Sequence, residues 1–187
     1  MKLNLGCGFD WRAGFLNVDC SHFEELVLWA REAGQPADLP AGAEFMRWDL
    51  REPWPWADDS AEMIVCNQTL EHFTDAESPV VLAEVYRVLT PGSGTFTGTT
   101  PDFEAIFETT VRRRSGTMWP QADAGPYSQP WMNALQNLAH GEGHHKQVFV
   151  ADMLRERLQT TGFAHIVAPQ PDLNLGFIAW KPVPQCA

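Results

Sequence analysis

The sequence predicts an α/β fold: a doubly wound, mostly parallel, seven-stranded sheet with helices on both faces. Three observations carry that expectation. Short apolar runs alternate with segments of helical period along the chain, the order that builds a parallel sheet. The first run opens into small residues, Leu5-Gly6-Cys7-Gly8, that let a ligand approach the backbone. The second ends on a carboxylate, Asp19, placed to accept from the two hydroxyls of a nucleoside ribose.

Taken in order, strands are expected at 2–5, 15–19, 44–48, 62–67, 95–99, 164–168 and 175–181. Helices are expected at 22–32, 79–89, 103–113 and 151–161, the last with Asp152 near the positive end of its dipole and Gly162 as its stop. The turn-rich stretches 34–42 and 53–60 read as connectors, and no internal repeat is visible.

The glycine turn narrows the choice of nucleotide. A dinucleotide fold of the nicotinamide type requires G-x-G-x-x-G, with its ribose acid about 20 residues further on. Here Trp11 stands at the third glycine, and Asp19 follows Gly8 by only eleven residues, too soon for a full crossover helix of that kind. Nothing nearby offers a phosphate cradle, so a pyrophosphate cofactor is not expected.

Residues 3–8 are similar to the first motif of class I S-adenosylmethionine-dependent methyltransferases, and the likeness extends to residue 103. Asp49 in Arg47-Trp48-Asp49-Leu50 sits where that family's third strand ends. The resemblance implies a carboxylate near the adenine amino group, with the Leu50 N–H beside the ring. Pro55-Trp56-Ala57-Asp58-Asp59-Ser60 resembles the family's approach to strand four, and Leu70-Glu71-His72 its ubiquinone and menaquinone methyltransferase-like branch. Glu84 to Gly92 is similar to the junction E-x-x-R-V-L-K-P-G, and Thr100-Pro101-Asp102-Phe103 to the end of strand five. Gly143-His144-His145-Lys146 with residues 154–163 resembles the ending of a short bacterial subgroup. Asp10 replaces a glycine common in the family, and Pro91-Gly92-Ser93-Gly94 is one residue looser than the usual Pro-Gly-Gly.

The resemblance implies S-adenosylmethionine as cofactor on a Rossmann-like fold. Leu5, Gly6, Cys7 and Gly8 would lie against its methionine part, Asp19 would hold the ribose, and Asp49 and Leu50 the adenine. Asn67, Gln68 and Leu70, around the end of strand four, would border the sulfonium. A sulfonium is already an activated donor, so alignment of a nucleophile is the main requirement and can supply roughly 7–11 kcal/mol. A general base is then optional; for a hydroxyl acceptor, His72 or His144 is the candidate.

Composition sets the outer bounds. A chain of 187 residues, 44% of them hydrophobic, can bury one sizeable core, and a single domain over 1–187 is expected. The net charge of −11 repels phosphate backbones, and the one basic run, Arg112-Arg113-Arg114, reads as a solvated face, so nucleic acid is not the expected substrate. No apolar run reaches the roughly 18 residues of a membrane span, and no secretory layout is visible, which points to the cytoplasm and away from membranes. Cys7, Cys20, Cys66 and Cys186 lack metal-ligand spacing and read as small hydrophobes. A homodimer is left open.

The segment 115–147, rich in proline and glycine with little periodicity, falls after the fifth strand and reads as a substrate lid. It carries Tyr127, Trp131, His140 and His145, which join Asp102 as the expected substrate contacts for a small-molecule or glycan-type acceptor. His140-Gly141-Glu142-Gly143-His144-His145 could suggest a metal, yet its glycines break the helix of an H-E-x-x-H arrangement, and no metal is expected. Three other classes stay in view: a catalytically silent nucleoside-binding scaffold or regulator, a nicotinamide oxidoreductase, and a metal-dependent hydrolase built on the histidines.

Overall fold

The computed structural model describes residues 1–108, 145–170 and 173–183. Seven strands form one sheet: β1 (Lys2–Leu5), β2 (Leu16–Asp19), β3 (Glu44–Arg47), β4 (Met63–Asn67), β5 (Thr95–Pro101), β6 (Ala164–Pro169) and β7 (Asn174–Trp180). Their order is β3-β2-β1-β4-β5-β7-β6. The first five pair in parallel, and β7 is antiparallel to both β5 and β6. The helices are α1 (Phe23–Glu32), α2 (Glu77–Val88) and α3 (Ala151–Thr161), with residues 103–108 also helical. Among the described residues no helix is long and apolar enough to cross a membrane.

Chain order runs outward in both directions from the β1–β4 pair. Right-handed crossovers therefore place α1 and α2 on opposite faces of the sheet. The same reversal opens a crevice beyond the carboxyl ends of β1 and β4, where open parallel sheets bind their ligands.

On the α2 face the register lines up Leu3, Ile64, Phe96 and Ala179 in one row and Leu5, Cys66, Gly98 and Phe177 in the next. Val81, Leu82, Val85 and Val88 of α2 and Leu154 and Leu158 of α3 belong to the same core cluster. Gly98 is required there: a Cβ would fall 1.9 Å from the carbonyl oxygen of Cys66.

The opposite face is built differently over β1 and β2. Asn4 and Asn17 are register partners, and both are buried. Asn4 Nδ2 donates to Asn17 Oδ1 at 2.9 Å and to the Asp10 carbonyl at 2.7 Å. Asn17 in turn accepts from the Arg12 N–H and donates to the Glu44 carbonyl. Two buried amides thus satisfy the backbone of a link too short to be a helix.

The structure departs from the expected bounds by up to two residues, at the start of α2 and the end of β5. The second helix begins at Glu77 rather than 79, because Thr74 and Glu77 cap one another: the Thr74 N–H donates to Glu77 Oε2 at 2.8 Å and the Glu77 N–H to Thr74 Oγ1 at 3.3 Å. Strand β5 runs on to Pro101, held by pairing with β7 as far as Asn174. Of the segment 115–147, only 145–147 lies within the described residues.

Candidate functional site

The crevice is bordered by the turn after β1. Gly6 adopts φ +60°, and a Cβ there would meet the Thr69 side chain at 2.4 Å; Thr69 Oγ1 itself donates to the Asn67 carbonyl at 2.8 Å. Gly8 adopts φ +49°, and beyond its chain neighbours no atom of the described residues lies within 4 Å of where its Cβ would be. Its N–H donates to Asp19 Oδ2 at 2.9 Å, while Asp19 Oδ1 accepts from the Ser21 N–H at 2.9 Å. Each carboxylate oxygen keeps a further lone pair for a ligand hydroxyl. Leu5 and Cys7 are buried, so only their backbone can meet a ligand. Burial pushes the Cys7 thiol up and the Cys66 thiol up to about 12, consistent with small hydrophobes. Cys20 is exposed, and Cys186 lies outside the described residues.

Asp49 is at the expected strand end but is already engaged. Arg51 grips it with Nε to Oδ1 at 2.9 Å and Nη2 to Oδ2 at 2.6 Å, which holds the Asp49 carboxyl below the usual range. Arg51 also reaches Glu77 at 3.6 Å, and Lys146 approaches Glu77 at 3.8 Å. Leu50 is buried beside them.

The residues around the end of β4 divide. Asn67 is half-buried, with Oδ1 accepting from Thr99 Oγ1 at 3.5 Å. Gln68 takes φ +49° and sends Nε2 to Asn174 Oδ1 at 3.1 Å, tying β4 to β7. The Leu70 side chain is in the hydrophobic core, which leaves its backbone to face the crevice; its carbonyl accepts from Gln147 Nε2 at 3.1 Å. Asp102 is 5% exposed and caps the helical residues 103–108, Oδ1 accepting from the N–H groups of Glu104 and Ala105. His144, Tyr127, Trp131 and His140 lie outside the described residues.

One group emerges that spacing did not show. Glu71, in the short 3-10 turn Leu70–His72, is 1% exposed. Its backbone carbonyl accepts from the N–H groups of Lys146 and Gln147, at 2.7 and 3.2 Å, which brings His145 alongside. Glu71 Oε2 accepts from Thr100 Oγ1 at 3.1 Å, and Oε1 stands 3.8 Å from His145 Nε2. The His145 and His72 rings meet edge to face, centroids 5.0 Å apart. Desolvation pushes the Glu71 carboxyl up to about 7. The sequence signal for Glu71 was its place in Leu70-Glu71-His72, which gave it no role of its own. A groove of about 670 Å³ between α2 and α3, lined by residues such as Leu82, Tyr86 and Met153, includes none of these groups.

A seven-stranded sheet with only β7 reversed, and a glycine turn facing an acid at the end of β2, define a Rossmann-like methyltransferase fold of class I. The methyltransferase domain family model matches residues 3–96, just over half of the chain, and the protein belongs to that family. No curated protein matches the chain. Among solved structures it is similar to an S-adenosylmethionine-dependent methyltransferase from Mesorhizobium loti, with 20% identity and TM-score 0.60 over 95% of this chain and 89% of that one. It also resembles human N-acetylserotonin methyltransferase in complex with SAM, with 15% identity and TM-score 0.61 over 97% of this chain and 47% of that one. An O-methyltransferase family protein from Burkholderia thailandensis gives 13% identity and TM-score 0.63, over 98% of this chain and 51% of that one.

Proposed function

We propose that the protein transfers a methyl group from S-adenosylmethionine to a small-molecule or glycan-type acceptor by in-line displacement. The observation that carries the reading is the open space at Gly8 beside the Asp19 carboxylate, with both carboxylate oxygens oriented by backbone N–H groups. These residues fit the cofactor. Asp19 would accept from the ribose hydroxyls, the Gly6–Gly8 backbone would flank the methionine part, and Asp49 with the Leu50 N–H would border the adenine. When bound, the cofactor supplies an activated methyl on a sulfonium.

The acceptor is assigned to the side of the crevice where His72 and His145 meet, with 115–147 adding the remaining contacts. Alignment there sets the rate, and for a hydroxyl acceptor a general base is optional, with His72 or His144 the candidate. The likeness to a short bacterial subgroup with quinone-methyltransferase motifs supports a small acceptor. Calorimetric titration of the full chain with S-adenosylmethionine and S-adenosylhomocysteine tests the reading. Micromolar binding of both supports it, and no heat with either, from folded protein, refutes it.

A further inference from the structure

We propose that Glu71, His72 and His145 bind one divalent transition-metal cation of the zinc, manganese or ferrous type. Each residue offers one ligand atom, and the three atoms lie within 4.8 Å of one another. Ligand bonds of about 2.0–2.2 Å place neighbouring donors roughly 3–3.5 Å apart, so side-chain rotations suffice to close the set. Glu71 Oε1 already stands 3.8 Å from His145 Nε2.

The independent pointer to a ligand is the carboxylate. Glu71 Oε1 is buried and has no hydrogen-bond partner among the described residues, although its twin Oε2 is held by Thr100. A buried carboxylate oxygen without a partner is costly, and a cation supplies that partner. Thr100 also fixes the rotation of the carboxylate, the role that groups behind a metal ligand play. The 3-10 turn and residues 145–147 are joined by the two N–H bonds to the Glu71 carbonyl and by Gln147 Nε2 to the Leu70 carbonyl, so the ligands come from two stitched segments. A cavity of about 10 Å³ is lined by Glu71, His145 and Gln147, whose buried Oε1 also has no hydrogen-bond partner among the described residues. That volume is about one water, which would link the cation to Gln147.

Two imidazoles and one carboxylate favour zinc, manganese or ferrous iron over the all-oxygen sites of calcium and magnesium. Three protein ligands leave a coordination position open at the carboxyl end of the sheet, where an oxygen of the acceptor would bind. The inference goes beyond the methyl-transfer reading, and it is read without turnover.

The test is titration of the chelator-stripped full chain with Co²⁺, followed by visible absorption, and with Zn²⁺, followed by calorimetry. Wild-type protein is expected to bind one equivalent with micromolar or tighter affinity, and Glu71→Gln and His145→Ala to weaken it about tenfold or more. The second variant covers failure of the first to fold, because His145 is partly exposed; His165→Ala should leave binding unchanged. Absence of binding, binding only at millimolar metal, or undiminished binding in folded His145→Ala overturns the proposal. The last outcome would place the metal elsewhere, and the first would leave a plain carboxylate–imidazole contact.

Discussion

Replacing Asp19 by alanine tests the cofactor site most directly. The carboxylate accepts two backbone N–H groups, from Gly8 and Ser21, and presents its remaining lone pairs to the crevice. A hydrogen bond to a charged acceptor is worth about 1.5–3 kcal/mol, so losing the ribose contact should weaken S-adenosylmethionine roughly 10- to 150-fold. Loss of the Gly8 contact also frees the turn and adds to the effect. Asp49→Ala should weaken binding less, because Arg51 already occupies both oxygens of that carboxylate. The assay is calorimetry with cofactor and product nucleoside, with melting temperature as the fold control. Wild-type affinity in folded Asp19→Ala would refute the assignment of the ribose to this acid.

Other consequences are equally direct. Gly98→Ala places a Cβ against the Cys66 carbonyl between two central strands and should prevent folding, visible as loss of cooperative unfolding; a normal urea transition would contradict that packing. Leu82→Ala, from a fully buried site in α2, should cost about 2–5 kcal/mol in denaturant stability. Arg87 bonds Glu84, Asp58 and the Trp56 carbonyl, and it holds the Glu84 carboxyl below its usual value. That contribution is fully present above the ordinary glutamate range and is lost as pH falls through the depressed value. Arg87→Ala should therefore flatten acid denaturation below about pH 4.5, and an unchanged pH profile would count against it. Deleting 116–125 should abolish turnover while sparing cofactor affinity; lost affinity in folded protein would assign that segment to the cofactor instead.

The sheet was legible because buried parallel strands must be short apolar runs, and helices between them must show an apolar stripe. Ile64-Val65-Cys66 and Val81-Leu82-Val85-Val88 are examples whose pattern is also their burial. The turn was legible for the same kind of reason: Gly6 and Gly8 have positive φ, and Asp19 lies at the end of the strand beside them. Where one side chain can serve two ends, sequence gave no answer. Leu70 follows β4 as expected, but rotates into the core, and Asp102 spends Oδ1 on a helix start.

By itself the sequence determined the order of the elements, the class of the sheet and the turn that can receive a nucleoside, since each depends on contacts or patterns within about twenty residues. Only the tertiary structure decided that Arg51 holds Asp49, that paired asparagines stand in for a crossover helix, and that Glu71 and His72 meet His145. That last meeting joins residues more than seventy positions apart through backbone bonds to the Glu71 carbonyl. Such bonds leave no period or spacing in the sequence, because any residue can donate the N–H that makes them.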